Sequence, residues 1–236
     1  MTSARAPAAK LVSVSVGVLV VVGVLAAVAR YLLPHELHLA IATPLYGSYA
    51  PEQLPVLAAH PVSEALHRLG GALYMILGVL QLDARLRARR PAVHRWAGRL
   101  FLLLSVAAGG SGIYMGLAFP YQPGETIPST LAGGLMILFA IKAYVHVRRR
   151  EIAAHREWIL RSFSLGLGIA TIRVLAVIVL NTTSLTTREI IAPTFWVGWG
   201  VTLLGAELWI RATRPRRPAA QIAAGAKPPA QAARAG

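Results

Sequence analysis

The most informative polar residue in this sequence is Arg173, because it lies deep within an otherwise apolar segment. An arginine at such a depth in a bilayer costs about 2.5–3.5 kcal/mol on insertion scales, so it normally faces a partner or a functional site. His67, Glu64 and the 181–183 stretch are its predicted partners, since they would lie near the same side of the membrane. A buried pair that locks the structure and a site for an anion or substrate both fit, and we favour the site.

Arg68 also stands out, because it is a cation on the side of the membrane that carries few others. Glu64 lies four residues earlier and can form an ion pair with it along one helix face. This pair is a sufficient structural explanation for Arg68. A role of Arg68 in binding an anion is the equally weighted alternative.

Three histidines, His94, His146 and His155, are predicted to lie at one membrane depth, at the ends of three successive helices. Basic residues flank this histidine cluster, including Arg95, Arg99 and Arg161. Two imidazoles from different helices could ligate a b-type haem, a pocket of His and Arg could hold a quinone or an anionic head group, and the histidines could relay protons. Interfacial anchoring explains any one of the three, whereas the cluster taken together favours a function.

Several other kinds of site have no support. The chain has no cysteine, which excludes disulfides, thiolate zinc sites and iron–sulfur clusters. The HELH run at 35–38 spaces its histidines three apart rather than four, so no metal site is expected there. We find no nucleotide-binding loop, no paired carboxylates inside an apolar segment and no Ser/His/Asp order. Most enzyme classes therefore lack support, and whether the protein is an enzyme is left open.

These residues are carried by long apolar segments, in a chain of 236 residues that is 56% hydrophobic and only 14% charged. A helix needs about 20 residues to cross a bilayer, and its backbone must satisfy its own hydrogen bonds. The sequence predicts an all-α, polytopic membrane bundle of six helices, at 11–33, 64–82, 94–119, 129–147, 158–180 and 190–210. The first segment could be a cleaved signal peptide, but its uninterrupted length favours a retained helix.

The distribution of Lys and Arg predicts how the bundle is oriented. Segments 1–10, 83–99, 142–161 and 211–236 hold 20 of the 24 Lys and Arg residues. The positive-inside rule therefore places both termini in the cytoplasm of a multi-pass protein of the cell membrane. It also explains the net charge of +15 without a nucleic-acid partner, so membrane lipids are the expected partners and a homo-oligomer is left open. Pro34–Val62 is predicted to be an irregular outer loop, and 211–236 a disordered basic tail.

Two sequence segments resemble a known family. HRWAGRLF at 94–101 and HREWILRSFSLGLGIATIRVL at 155–175 are similar to the bacterial membrane proteins of domain-of-unknown-function family 2306. The resemblance covers roughly residues 60–180, implies a membrane protein and assigns no activity; His146 lies outside its pattern. The matching positions are His67, Arg68, Gly71, His94, Arg95, Trp96, Gly98, Arg99, His155, Arg156, Trp158, Arg161, Ser162, Thr171 and Arg173.

Two hypotheses of different class follow from the sequence. The first is a redox-type membrane protein that binds haem b or quinone through His94, His155 and His146. The second is a permease-like or lipid- and anion-binding protein that uses Arg173, His67 and the basic residues at the inner helix ends. A purely structural membrane protein is the third alternative.

Overall fold

The computed structural model describes residues 5–214, and the regular elements in that range are all helical. In chain order the α-helices are α1 (Arg5–Leu32), α2 (His35–Tyr46), α3 (Tyr49–Ala58), α4 (Pro61–Leu82), α5 (Ala84–Arg89), α6 (Pro91–Ala118), α7 (Thr126–Arg148), α8 (Ile152–Thr182) and α9 (Thr187–Thr213). Six of them, α1, α4, α6, α7, α8 and α9, are long and apolar enough to cross a membrane. The predicted all-α bundle of six membrane helices is therefore confirmed, while its orientation in the membrane stays a prediction.

The centre of the bundle is formed by α4, α6, α7 and α8, in which each helix packs against the next along the chain. Helix α9 packs along α8, and α1 lies against α4 and α8. Aromatic side chains fill the centre: the Tyr74 and Phe101 rings stack with centroids 4.4 Å apart, and Phe163 lies beside them. The Tyr74 hydroxyl is within 3.1 Å of the Ser162 hydroxyl, so even this apolar centre pairs its polar atoms.

Helices α6 and α7 come into backbone contact where each carries a glycine. A Cβ atom built on Gly133 would lie 2.7 Å from the carbonyl oxygen of Gly109, and one built on Gly109 would lie 2.9 Å from the carbonyl oxygen of Gly133. Small residues at such crossings let membrane helices approach closely. The adjacent Gly110 and Gly134 have open space around them, so only one glycine of each pair is needed for the crossing.

The predicted irregular structure of 34–62 was wrong, because this segment forms α2 and α3. Pro34 precedes α2 and Pro51 lies in the first turn of α3, where the missing proline N–H breaks no intrahelical hydrogen bond. Pro44 and Pro55 lie inside the helices, but both helices bury apolar side chains against the rest of the protein. The proline content predicted a loop, but packing against the rest of the protein stabilises both helices.

Helices α2 and α3 cover one end of the bundle, and we call this pair the cap and this end the cap face. Gly47, with φ of +58°, joins the two helices, and a Cβ there would lie 2.3 Å from the Thr187 hydroxyl. That hydroxyl donates to the carbonyl oxygen of Tyr46 at 3.2 Å, and Gln53 Nε2 donates to the carbonyl oxygen of Phe119 at 3.0 Å. The cap is therefore attached to the ends of both α6 and α9.

The opposite end of the bundle carries the start of α6, the end of α7 and the start of α8, and we call it the basic face. Residues 211–213 continue α9 rather than beginning the predicted tail. The remainder of that predicted disordered tail, from residue 215 onward, lies outside the described residues, as do residues 1–4.

Candidate functional site

Two neighbouring cavities lie beneath the cap. The smaller has a volume of about 160 Å³ and the larger a volume of about 450 Å³. Both are large enough for several waters or a small polar head group. They share a boundary formed by the following residues: Tyr49, His67, Arg68, Ile169, Arg173 and Phe195. The polar side chains at this boundary therefore face two adjoining spaces inside the bundle.

The larger cavity combines apolar walls with hydrogen-bond donors and lacks any carboxylate. Aliphatic side chains of α1, α2 and α8, such as Leu25, Ile41 and Ile172, form most of its surface. Its polar lining residues are His38, Tyr46, Tyr49, His67, Arg68, Arg173 and Thr187. Such a lining suits a molecule that has an anionic group and an apolar body.

Two of the arginines at the cap face share a single acid. Glu64 Oε1 lies 3.2 Å from Arg68 Nε, in the predicted i,i+4 ion pair, and 3.8 Å from Arg30 Nε. Glu64 is only 5% exposed, so this carboxylate is buried beside its two cations. Glu64 Oε1 is within ion-pair distance of both arginines but forms no hydrogen bond with either.

Arg173 does not pair with Glu64, the one acid predicted for it. Within residues 5–214 it has no carboxylate within ion-pair distance, because Glu64 is held by Arg68 and Arg30. Asn181 and Thr183 instead donate to carbonyl oxygens of their own helix, at 2.8 Å each. Only His67, of the predicted partners, lines the same cavities as Arg173. The guanidinium thus faces the two cavities without a counter-ion.

The charges at the cap face do not balance. Arg30, Arg68 and Arg173 carry three positive charges against the one carboxylate of Glu64, which leaves an excess of two. Glu125 also lines the smaller cavity, and counting it as ionised reduces the excess to one. A cation without a counter-ion is costly in a membrane interior, so this region is electrostatically complementary to an anion.

The cap contributes two further polar groups whose protonation is defined. Burial raises the pKa of Tyr49 to about 12, so its phenol remains a hydrogen-bond donor at neutral pH. Burial, and then the positive charges of Arg68 and Arg30, lower the pKa of His38. His38 Nδ1 and His67 Nδ1 are both buried without a hydrogen-bond partner among the described residues. These groups add polar contacts beside the arginines.

Sequence reasoning missed the residues that the cap and the connection between α6 and α7 bring to the cavities. Tyr49 and Gln53 were assigned to an irregular loop, and Glu125 to the segment before the fourth predicted helix. Glu125 is in fact 5% exposed; it is the last residue of a 3-10 turn at Pro123–Glu125 and immediately precedes α7. One feature of the sequence could have pointed to Glu125: acidic residues are rare in this chain, which has only nine.

The three histidines predicted to form a cluster lie at the basic face and line neither cavity, and each has different contacts. His155 Nδ1 donates to the carbonyl oxygen of Ala143 at 2.8 Å. His146 contacts Glu151 through a hydrogen bond and stacks on Trp158 with centroids 6.4 Å apart. His94 Nδ1 is buried and has no partner among the described residues.

The basic residues predicted to surround these histidines are engaged elsewhere or exposed. Arg161 makes two hydrogen bonds to the Glu207 carboxylate, which ties α8 to α9. Arg99 is exposed and lies over the Trp96 ring at 4.9 Å, and Arg95 is also exposed. Interfacial contacts of this kind are typical of residues at a membrane surface. The basic residues of this face therefore do not form one pocket.

The six long apolar helices define a helical membrane protein of the multi-pass class. The family described as "Predicted membrane protein (DUF2306)" matches residues 64–210, and the chain belongs to this family. The resemblance drawn from the two His-Arg motifs is thereby confirmed. No protein of curated function and no solved structure matches the chain.

Proposed function

We propose that this membrane protein binds an anionic amphiphile in the cavities beneath the cap. The observation that carries the proposal is the larger cavity, in which Arg68 and Arg173 meet apolar walls without any carboxylate. The anionic group of the ligand would contact Arg173, which has no counter-ion in the described protein, and the aliphatic walls would contact its chain. A permease-like role would use the same site, with the cap as the part that separates it from water.

Arginine suits this role better than lysine would. The guanidinium presents several donors in a planar fork that matches a carboxylate or phosphate, whereas an ammonium is a point charge. Arg173 lies on α8 at the boundary between the two cavities, so its fork is open to a ligand in either. His67 and Tyr49 line the same boundary and add donors beside it.

Purified protein should bind oleate at least about tenfold more tightly than oleyl alcohol, which has the same chain without the charge. A hydrogen bond to a charged group contributes about 1.5–3 kcal/mol, and 1.4 kcal/mol is about tenfold in affinity. Arg173→Gln should remove this preference, and Arg173→Lys should restore only part of it. The fluorescence of Trp199, which lines the smaller cavity, provides the binding signal.

Arg148→Gln is the matched control, since Arg148 is an exposed arginine at the opposite end of the bundle and lines neither cavity. Its affinity for oleate should equal that of the wild type. Equal affinities for oleate and oleyl alcohol in the wild type would refute the proposed anion site. So would an oleate affinity that Arg173→Gln leaves unchanged.

A second candidate function is the binding of haem b or quinone at the basic face, and the orientation of His155 favours it. A ring nitrogen that donates to a backbone carbonyl, as His155 Nδ1 does, fixes the tautomer that leaves Nε2 free as a ligand. His94 starts a different central helix at the same face and has a buried Nδ1 without a partner. A bis-histidine haem requires two imidazoles, and His94 and His155 come from two different helices at this face.

Protein purified from haem-replete cells should then show a Soret band and reducible α and β bands. His94→Ala and His155→Ala should each abolish these bands, because each removes one axial ligand. His146→Ala is the control and should keep the spectrum, since His146 is engaged by Glu151. A colourless preparation with a normal melting temperature would contradict the haem hypothesis and leave the cavity proposal untouched.

A further inference from the structure

Glu125 is a buried acid, and only one of its two carboxylate oxygens is hydrogen-bonded within the described part of the chain. Its Oε1 accepts a hydrogen bond from the backbone N–H of Tyr121. Its Oε2 is buried and has no hydrogen-bond partner among the described residues. Leaving a buried acceptor unpaired costs about 1–3 kcal/mol, and more when the group is charged. This oxygen therefore calls for a donor that the described part of the chain does not supply.

The usual structural roles do not account for Oε2. Glu125 is the residue before α7, where a carboxylate would interact well with the helix dipole, but its side chain makes no capping hydrogen bond. It forms no ion pair within residues 5–214, although two arginines line the same cavity. Gln53 also lines that cavity, but its amide nitrogen donates to the carbonyl oxygen of Phe119.

The smaller cavity thus has polar groups of opposite kind on its lining. Arg68 and Arg173 are donors for an anion, and Glu125 is an acceptor for an N–H or O–H group. The rest of the lining is largely apolar and includes Met75, Met136 and Trp199. A cavity of about 160 Å³ suits the head group of an amphiphile, and the adjoining cavity of about 450 Å³ suits part of its chain.

We propose that the ligand carries an N–H or O–H donor close to its anionic group, and that Glu125 Oε2 accepts this donor while Arg173 holds the anion. This inference rests on the proposed anion site and names the chemical class of its ligand. A plain fatty acid satisfies only the arginine. A phospholipid head group with an ethanolamine or glycerol substituent satisfies both groups, whereas a choline head group has the phosphate but no N–H or O–H donor.

The test compares three lysophospholipids with one acyl chain, in which the free backbone hydroxyl is methylated so that the head group alone can supply a donor, and whose head groups are ethanolamine, glycerol and choline. The wild-type protein should bind the ethanolamine form about tenfold or more tightly than the choline form, since a charge-assisted hydrogen bond contributes about 1.5–3 kcal/mol. If the glycerol form is also preferred over the choline form, the site recognises any N–H or O–H donor. If the ethanolamine form alone is preferred, the site recognises an ammonium group. Equal binding of all three would overturn the inference.

Two variants separate recognition by Glu125 from simple exclusion of the bulkier choline. Glu125→Gln keeps an acceptor for the Tyr121 N–H and so preserves the turn, but it should cut the preference for ethanolamine severalfold. Glu125→Leu should abolish the preference, and its melting temperature reports whether the turn survives. A preference that persists in both variants would reflect steric exclusion and would overturn the assignment to Glu125.

Oleate binding keeps this inference distinguishable from the function on which it rests. Oleate has a carboxylate but no N–H or O–H donor, so Glu125→Gln should not weaken its binding, whereas Arg173→Gln should. Should oleate depend on Arg173 while the three lysophospholipids bind alike, the anion site stands and the role of Glu125 is refuted. Should oleate be indifferent to Arg173, both proposals fall.

Discussion

Replacing Glu64 by glutamine should destabilise the protein more than any other single loss of charge at the cap face. The variant keeps the shape of the side chain but leaves Arg30 and Arg68 without the one carboxylate that they share. Removing one partner of a buried ion pair costs about 3–5 kcal/mol. In a chain of this size that corresponds to a fall in melting temperature of about 6–20 °C, measurable by thermal unfolding in detergent.

The exposed ion pair between Glu52 and Arg188 provides the control, because both of its side chains are largely accessible. Glu52→Gln should cost less than about 1 kcal/mol, as exposed pairs usually do. Adding Arg30→Gln to Glu64→Gln should recover part of the loss, because it removes one of the two stranded cations. A melting temperature of Glu64→Gln within about 2 °C of the wild type would show that Glu64 is not the counter-ion of Arg30 and Arg68.

The second large effect is expected at the crossing of α6 and α7. Gly133→Ala places a methyl group 2.7 Å from the carbonyl oxygen of Gly109, and a backbone atom cannot rotate away as a side chain can. The helices must therefore separate, and overpacking of this kind costs about 1–3 kcal/mol. Gly109 and Gly133 also line the smaller cavity, so the binding of oleate should weaken along with stability.

The neighbouring glycines make this prediction sharp. Gly134→Ala adds the same methyl group one residue later, where nothing lies within 4 Å, and it should be neutral or stabilise α7 by up to about 1 kcal/mol. Gly109→Ala and Gly110→Ala should show the same contrast on α6. The expected outcome in a thermal unfolding assay is a loss of stability for Gly109→Ala and Gly133→Ala and no loss for Gly110→Ala and Gly134→Ala. Equal effects within a pair would mean that the helices do not cross at these glycines.

The sequence predicted the membrane helices well because their signal is additive over many residues. Each apolar segment sums its transfer free energy over about 20 positions, so single polar residues such as Arg173 do not obscure it. The helices α2 and α3 are too short for a summed transfer free energy to identify them, and their prolines suggested loops. Their helical structure depends on packing against the cap face, which only the folded chain shows.

The candidate site was predicted in part for the same reason. The sequence alone identified Arg173, His67 and Arg68, because a polar residue within an apolar segment is easily recognised there. The assignment of Glu64 to Arg173 could not be settled, because Glu64 lies four residues from Arg68 and a local pair forms before a distant one. Glu125 and Tyr49 were missed because they come from connections whose path through space is not encoded in any periodicity.

The match to the family begins at residue 64, so the cap and α1 lie before the shared region. Each charged residue that lines the two cavities, Arg68, Arg173 and Glu125, belongs to the shared region, whereas the cap supplies Tyr49 and much of the apolar wall. The pocket is therefore a composite, in which charged residues from the region that matches the family are covered by a segment that precedes that region. Grafting a different N-terminal segment onto the same core would alter which chain lengths fit while leaving the preferred head group intact.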